Sequence, residues 1–186
     1  MIAGGIGGAN TQTGARFEIE TNLANFLKSQ KGYEVRENDR PNGTCMRWEA
    51  FFDNKKVADI FQKDGLYRYF DEMNYNYREI LSKKLLPDDS IFVFAKNTIY
   101  IIEKKFQRVA GSVDEKPQTC AFKLYEYRRL FAPLNREVEY MYLFNRDWWS
   151  KPEYRDMLDW IISVGCGYYF DYIPLEKLGL PVSASA

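Results

Sequence analysis

The chain has 186 residues, of which 46% are hydrophobic and 28% charged, as expected for a globular protein with one hydrophobic core. It contains no histidine, which excludes Ser-His-Asp and Cys-His nucleophilic catalysis and the histidine-ligated zinc hydrolases. Its 26 basic residues are balanced by 26 acidic ones, so it lacks the basic surplus of a protein that binds DNA tightly by itself. Any catalytic chemistry must depend on carboxylates, lysines, tyrosines or a hard cation.

Apolar residues recur at helical or strand spacing along the chain, and Gly, Pro, Asn and Asp residues divide these runs. In chain order the pattern predicts a helix over about 13–31, strands over 33–37 and 44–52, a helix over 66–84 with a break near Asn74, strands over 91–95 and 98–107, a helix over 117–131, a strand over 137–144, a helix from Pro152 to the stop at Gly165, a strand over 167–172 and a one-turn helix over 175–178. This order predicts an α/β fold with a mixed central β-sheet flanked by helices.

The sequence predicts a single domain over residues 1–186, with a flexible glycine-rich segment over about 1–10. No apolar run reaches the length of a membrane span, and the N-terminus lacks the pattern of a signal peptide. The three cysteines, Cys45, Cys120 and Cys166, are scattered and form no C-x-x-C pair, which favours a reduced protein without disulfides or a zinc site. We therefore expect a cytoplasmic protein with no membrane partner.

The candidate site lies where two neighbouring strands are predicted. Asp88 follows Pro87 at the entrance of one strand, and Glu103 and Lys105 close the next, which is strongly apolar. Because alternate residues of a strand share a face, Glu103, Lys105 and Gln107 are expected to project together, with about 6–7 Å between successive members. An acid and an amine at this spacing can contact a metal and a water molecule. Carboxylate ligands favour magnesium, manganese or calcium.

The pair Pro87-Asp88 with Glu103-x-Lys105 resembles the motif of the PD-(D/E)XK nuclease superfamily. Further segments are similar to bacterial restriction endonucleases, in particular to the small catalytic subunits of heterodimeric type IIS enzymes, whose large subunit is a site-specific nicking enzyme. These segments cover residues 7–18, 101–107, 111–116 and 118–120. The resemblance extends over most of the chain and implies a restriction-endonuclease-like core.

The resemblance also implies roles for individual residues. Asp88 and Glu103 would bind Mg²⁺, for which Mn²⁺ can substitute, and the backbone carbonyl of Lys104 would be a further ligand. Lys105 would orient the attacking water and stabilise the charge that develops on phosphorus. Glu18, in the first predicted helix, would be an outer ligand of the metal or of water.

Several assignments have alternatives. The helical pattern directs Glu20 rather than Glu18 toward the apolar side, although the match of Thr-Gly-x-x-Phe-Glu favours Glu18. Asp89 takes the place of Asp88 as the metal ligand if the Asp88 side chain points away from the site. Weaker candidates near the motif are explained equally well by a solvated surface: Gln107, Lys116 and Gln118. A solvated helix face is the better interpretation of three basic residues further along: Lys123, Arg128 and Arg129.

The function implied is that of a Mg²⁺-dependent DNA endonuclease of a restriction-modification system. In this interpretation the chain hydrolyses one strand of double-stranded DNA once a larger DNA-recognising subunit has positioned it. Small size and zero net charge favour this over a self-sufficient homodimeric restriction enzyme or a junction resolvase. An inactive nuclease-fold binding or assembly module would need a lost carboxylate or lysine, and none is missing. A glycosidase that uses an acid and a nucleophile is a further alternative.

Overall fold

A computed structural model of the chain describes residues 21–38, 46–108 and 115–183. Within these residues seven strands form one mixed sheet, in which each strand lies beside its neighbour in the sequence. The strands are β1 (Tyr33–Glu37), β2 (Arg47–Phe52), β3 (Lys55–Phe61), β4 (Asp89–Val93), β5 (Thr98–Lys105), β6 (Glu137–Phe144) and β7 (Gly167–Phe170). Neighbours from β1 to β5 are antiparallel, whereas β5, β6 and β7 run parallel.

Helices cover both faces of this sheet. They are α1 (Leu23–Lys28), α2 (Gly65–Glu72), α3 (Cys120–Phe131), α4 (Arg146–Trp149) and α5 (Arg155–Ser163). A connection between parallel strands must cross the sheet, and helices supply both crossovers: α3 joins β5 to β6, and α4 and α5 join β6 to β7. The predicted class, an α/β fold with a mixed sheet between helices, is therefore confirmed. None of the helices in the described ranges is long and apolar enough to span a membrane.

Apolar side chains form a separate core on each face of the sheet. On one face Ile99 and Ile101 of β5 pack in a cluster with residues of α2, α3 and α5. On the other face Tyr100 and Ile102 pack in a cluster with residues of α1 and of the C-terminal segment around Leu178. A strand that is buried on both faces tends to be continuously apolar, which explains the run from Ile99 to Ile102 in β5.

Several element predictions are confirmed with their bounds. The strands over 33–37 and 137–144 and the one-turn helix over 175–178 begin and end as predicted, the last as a 3₁₀ helix. The predicted hairpin between β4 and β5 is also present. Its connection is a short 3₁₀ turn that ends at Asn97, which adopts the left-handed conformation with φ 50°.

The break that was predicted near Asn74 in the helix over 66–84 is confirmed, because α2 ends at Glu72, but no α-helix follows the break and the chain forms only a 3₁₀ turn over Tyr77–Glu79. Asn74 takes a left-handed conformation with φ 55°, and the Tyr75 amide donates to the carbonyl of Phe70, so the chain turns away from the helix axis. The strand β3 was not predicted. Its seven residues include two lysines and an aspartate, which weaken the apolar alternation that identifies a strand.

The first predicted helix is interrupted at Asn22, and its described part ends at Lys28. The described part, α1, begins after Asn22, whose side-chain oxygen accepts a hydrogen bond from the Asn25 amide at 2.9 Å. Such an N-cap starts a helix, so no unbroken helix runs from Thr13 to Lys31. Thr13 and the glycine-rich segment over 1–10 lie outside the described residues.

Candidate active site

The pairing of β4 with β5 brings the predicted acidic residues together. Asp89 lies opposite Ile102 in this antiparallel pair, and the next position in the same register places Asp88 opposite Glu103. Asp88 directly precedes β4, and its Oδ2 accepts a hydrogen bond from the Lys104 amide at 2.8 Å. The predicted acids therefore meet at one end of the β4–β5 hairpin.

The Lys105 side chain lies between these two carboxylates. Its Nζ is 3.0 Å from Glu103 Oε2 and 3.7 Å from Asp88 Oδ2. The same nitrogen donates to the backbone carbonyl of Lys104 at 3.0 Å. A single cationic group thus contacts the three predicted metal ligands, and this arrangement shows that their oxygen atoms converge on a common region.

Two further lysines reach the same carboxylates from other elements. Lys63, in the loop between β3 and α2, forms an ion pair with Asp88 Oδ1. Lys123, in α3, forms an ion pair with Glu103 Oε1 at 3.2 Å. Among the residues that the structure describes, three ammonium groups thus contact the two carboxylates.

Sequence reasoning missed Lys63 and placed Lys123 on a solvated helix face. The latter interpretation is wrong, because the Lys123 side chain is mostly buried against Glu103. A signal for it existed, since Lys123 follows Cys120 by three positions and precedes Tyr127 by four, so all three share the inward face of α3. No periodic pattern identifies Lys63, which belongs to a loop.

These lysines determine the charge state of Asp88. Burial of the Asp88 carboxyl favours its neutral form, but the ammonium groups of Lys105 and Lys63 and the Lys104 amide outweigh burial, and the pKa of Asp88 lies below its ordinary value. Nearby, burial raises the pKa of the Tyr142 hydroxyl, so this ring, 6.0 Å from Lys105 Nζ, stays neutral. Asp88 is thus ionised throughout the neutral pH range.

Asp89 has a different environment on the opposite face of the sheet. Its carboxylate lies 2.6 Å from Lys104 Nζ, and both side chains are almost fully buried. It also accepts hydrogen bonds from Gln62 Nε2 at 2.7 Å and from the Leu23 amide at 3.3 Å. These contacts tie β4 and β5 to α1. Of the two aspartates, Asp88 is therefore the one beside Glu103 and Lys105.

The remaining candidates are not brought to the carboxylates by any described contact. β5 ends at Lys105, so Gln107 does not continue its face as predicted, and its backbone pairs instead with the Asn145 side chain. Lys116 and Gln118 are exposed in a 3₁₀ turn. The exposed pair Arg128 and Arg129 lies on the outer side of α3. Both N-terminal candidates, Glu18 and Glu20, lie outside the described residues.

Within residues 21–38, 46–108 and 115–183, no three His, Cys, Asp or Glu side chains are grouped to hold a metal ion. The donor set is instead two carboxylates, Asp88 and Glu103, and one peptide carbonyl, that of Lys104. Hard oxygen donors of this kind fit Mg²⁺ or Mn²⁺, and Mg²⁺ sites commonly use only one or two protein carboxylates.

Comparison of the chain with protein-family models, with curated proteins and with solved structures gave no match in any of the three. The functional interpretation therefore depends on the geometry and chemistry of the site itself.

Proposed function

We propose that the chain is a Mg²⁺-dependent DNA endonuclease of the PD-(D/E)XK type, with a restriction-endonuclease-like core. One observation carries this proposal: Lys105 Nζ contacts both Asp88 and Glu103 and the Lys104 carbonyl. The arrangement combines convergent oxygen donors, which can hold a metal that activates water, with an adjacent amine that can stabilise developing negative charge. The proposed role is that of a catalytic subunit that cuts one strand when a larger DNA-recognising subunit positions the duplex.

A divalent cation held by Asp88, Glu103 and the Lys104 carbonyl would supply a Lewis acid and lower the pKa of a water molecule. The protein residues would have separate tasks. Lys105 lies between the two carboxylates and would orient water and balance the negative charge that develops on phosphorus. Lys123 contacts Glu103 Oε1 and would fix the orientation of that carboxylate.

The charge state of the site argues against a glycosidase. That chemistry needs one carboxyl group with a raised pKa, which stays protonated and acts as the general acid. Here the pKa of Asp88 is lowered, despite burial, by Lys105 and Lys63, and Glu103 contacts two ammonium groups. The lowered pKa of Asp88 does not fit the role of a general acid.

Cleavage should depend strictly on a divalent cation, because no described side chain of the site offers another way to activate water near neutral pH. We expect plasmid DNA to be cut with Mg²⁺ or Mn²⁺ and not with EDTA, and we expect Ca²⁺ to bind without supporting cleavage. The assay uses the pure chain, alone and with a lysate of its source cells. Undiminished cutting in EDTA would refute the metal site. A chain that neither binds Mn²⁺ in calorimetry nor cuts DNA under any of these conditions would refute the nuclease proposal.

The isolated chain should bind DNA weakly and without sequence preference. Its charges cancel, and specific recognition needs base-edge contacts together with many phosphate contacts. A gel-shift titration against duplexes of different sequence provides the measurement. Sequence-selective binding with a Kd at or below ~10⁻⁸ M at physiological salt, the usual range of specific DNA-binding proteins, would refute the subunit proposal. It would favour a self-sufficient homodimer instead.

A further inference from the structure

Lys63 belongs to a loop that the fold holds in a fixed and unusual conformation. The residue has φ 46°, which is left-handed and unfavourable for a side chain of this kind. Two backbone hydrogen bonds of 2.9 Å hold the loop, from Lys63 N–H to the Pro87 carbonyl and from Gln62 N–H to the Met46 carbonyl. Backbone strain of this kind concentrates at functional sites, and in this chain it occurs beside Asp88.

The loop contacts the two neighbouring aspartates, Asp88 and Asp89, through different residues. Gln62 donates to Asp89, and the following residue, Lys63, forms an ion pair with Asp88. The contact of Gln62 belongs to a buried network that includes Lys104. The Lys63 side chain, by contrast, is 41% exposed and lies at the solvent side of the candidate site. Lys105, on the inner side, is only 15% exposed.

The ion pair of Lys63 conflicts with metal binding by Asp88. A cation held by Asp88, Glu103 and the Lys104 carbonyl would lie among the oxygens that converge on Lys105, and it would share the Asp88 carboxylate with Lys63. Lys63 contacts Asp88 Oδ1. An ammonium group and a divalent cation that share one carboxylate repel one another, so a cation bound to Asp88 would displace the Lys63 ammonium toward solvent. A half-exposed lysine can make this movement without a large loss of packing.

We propose that Lys63 is a substrate-binding residue that exchanges partners during the reaction. Without metal it pairs with Asp88, and when Asp88 binds the cation it contacts a phosphate of the DNA backbone next to the scissile bond. This inference rests on the proposed function and adds to it a residue that competes with the metal and favours the substrate. This inference and a purely structural ion pair lead to opposite predictions. If Lys63 exchanges partners, removal of its ammonium group should improve metal binding and weaken DNA binding.

The test compares Lys63→Ala with the wild type in two measurements that need no cleavage. In calorimetry with Mn²⁺, we expect Lys63→Ala to bind the metal about two- to fivefold more tightly, the range implied by loss of a partly exposed ion pair. In fluorescence anisotropy with a labelled 20-base-pair duplex, Ca²⁺ and varied NaCl, we expect the slope of log K against log salt to decrease by about 1, as for loss of one phosphate contact.

Three variants make the comparison specific. Lys63→Arg keeps the charge and should restore the salt dependence of the wild type. Lys63→Gln is a second neutral variant in case the alanine chain does not fold. Lys56→Ala removes a similarly exposed lysine that pairs with Glu49 and Asp59 at the other end of β3, and should change neither measurement.

A wild-type chain that binds Mn²⁺, with neutral Lys63 variants that leave metal affinity and salt slope unchanged, would overturn this inference alone. Weaker Mn²⁺ binding by those variants would also overturn it, because Lys63 would then support Asp88 instead of competing with the metal. A wild-type chain that binds no Mn²⁺ would overturn the proposed function, and this inference with it.

Discussion

Glu103→Gln and Lys105→Ala should each lower the rate of DNA cleavage by about 10²–10³ or more. Glu103→Gln removes an anionic ligand but keeps the shape of the side chain. Lys105→Ala removes the ammonium group that contacts Asp88 and Glu103 at 3.7 and 3.0 Å. The measurement is the initial rate of plasmid cleavage under the conditions in which the wild type is active.

The same variants should remain folded. After Glu103→Gln, Lys105 still contacts Asp88 and the Lys104 carbonyl, so we expect the free energy of unfolding to fall by only about 1–2 kcal/mol. Glu49→Gln is the matched control. Glu49 lies away from the site and forms an ion pair of 2.6 Å with Lys56, so the cleavage rate of this variant should equal that of the wild type. Cutting by Lys105→Ala at nearly the wild-type rate would place the active site elsewhere.

Lys104→Met should be the most destabilising of these changes, although its backbone carbonyl is the part proposed to bind metal. The Lys104 ammonium and the Asp89 carboxylate form a buried ion pair at 2.6 Å. Removing one member leaves the other charge buried without its partner, which typically costs about 3–5 kcal/mol. Urea unfolding of the purified variant measures the loss.

A double variant separates the lost charge from lost packing. Asp89→Asn with Lys104→Met removes both charges and keeps an oxygen that can accept from Gln62, so most of the stability should return. Asp88→Asn, by contrast, should abolish cleavage and retain the fold. If the urea concentration at the midpoint of unfolding is the same for Lys104→Met and the wild type, the buried ion pair contributes nothing to stability. The structural role given to Asp89 would then be wrong.

The distinction between Asp88 and Asp89 shows what the sequence could predict. The alternation of side chains along a strand places two adjacent acids on opposite faces, and this much follows from the chain alone. Which face contains Glu103 and Lys105 depends on the register of β4 with β5, in which Asp89 faces Ile102. The sequence favoured Asp88 through a resemblance, whereas the contacts of both aspartates distinguish them physically.

Other parts of the site were beyond sequence reasoning for the same reason. Lys105 and Glu103 share one strand, so their spacing is visible in the chain. Lys63 and Lys123 reach the carboxylates from a distant loop and a distant helix, and only tertiary packing brings them there. The missed strand β3 made this harder, because the loop that carries Lys63 is defined by the end of that strand.

The double-sided burial of β5 has a consequence for the mobility of the site. This strand is hydrogen-bonded to a neighbour along both edges and packed on both faces, so its amides should exchange with solvent deuterium only when the whole domain opens. Glu103 and Lys105 thus belong to a strand whose amides we expect to exchange slowly, whereas Lys63 belongs to a surface loop. For these residues to contact a bound duplex, their side chains and the loop of Lys63 would therefore have to move, while strands β4 and β5 stay in place.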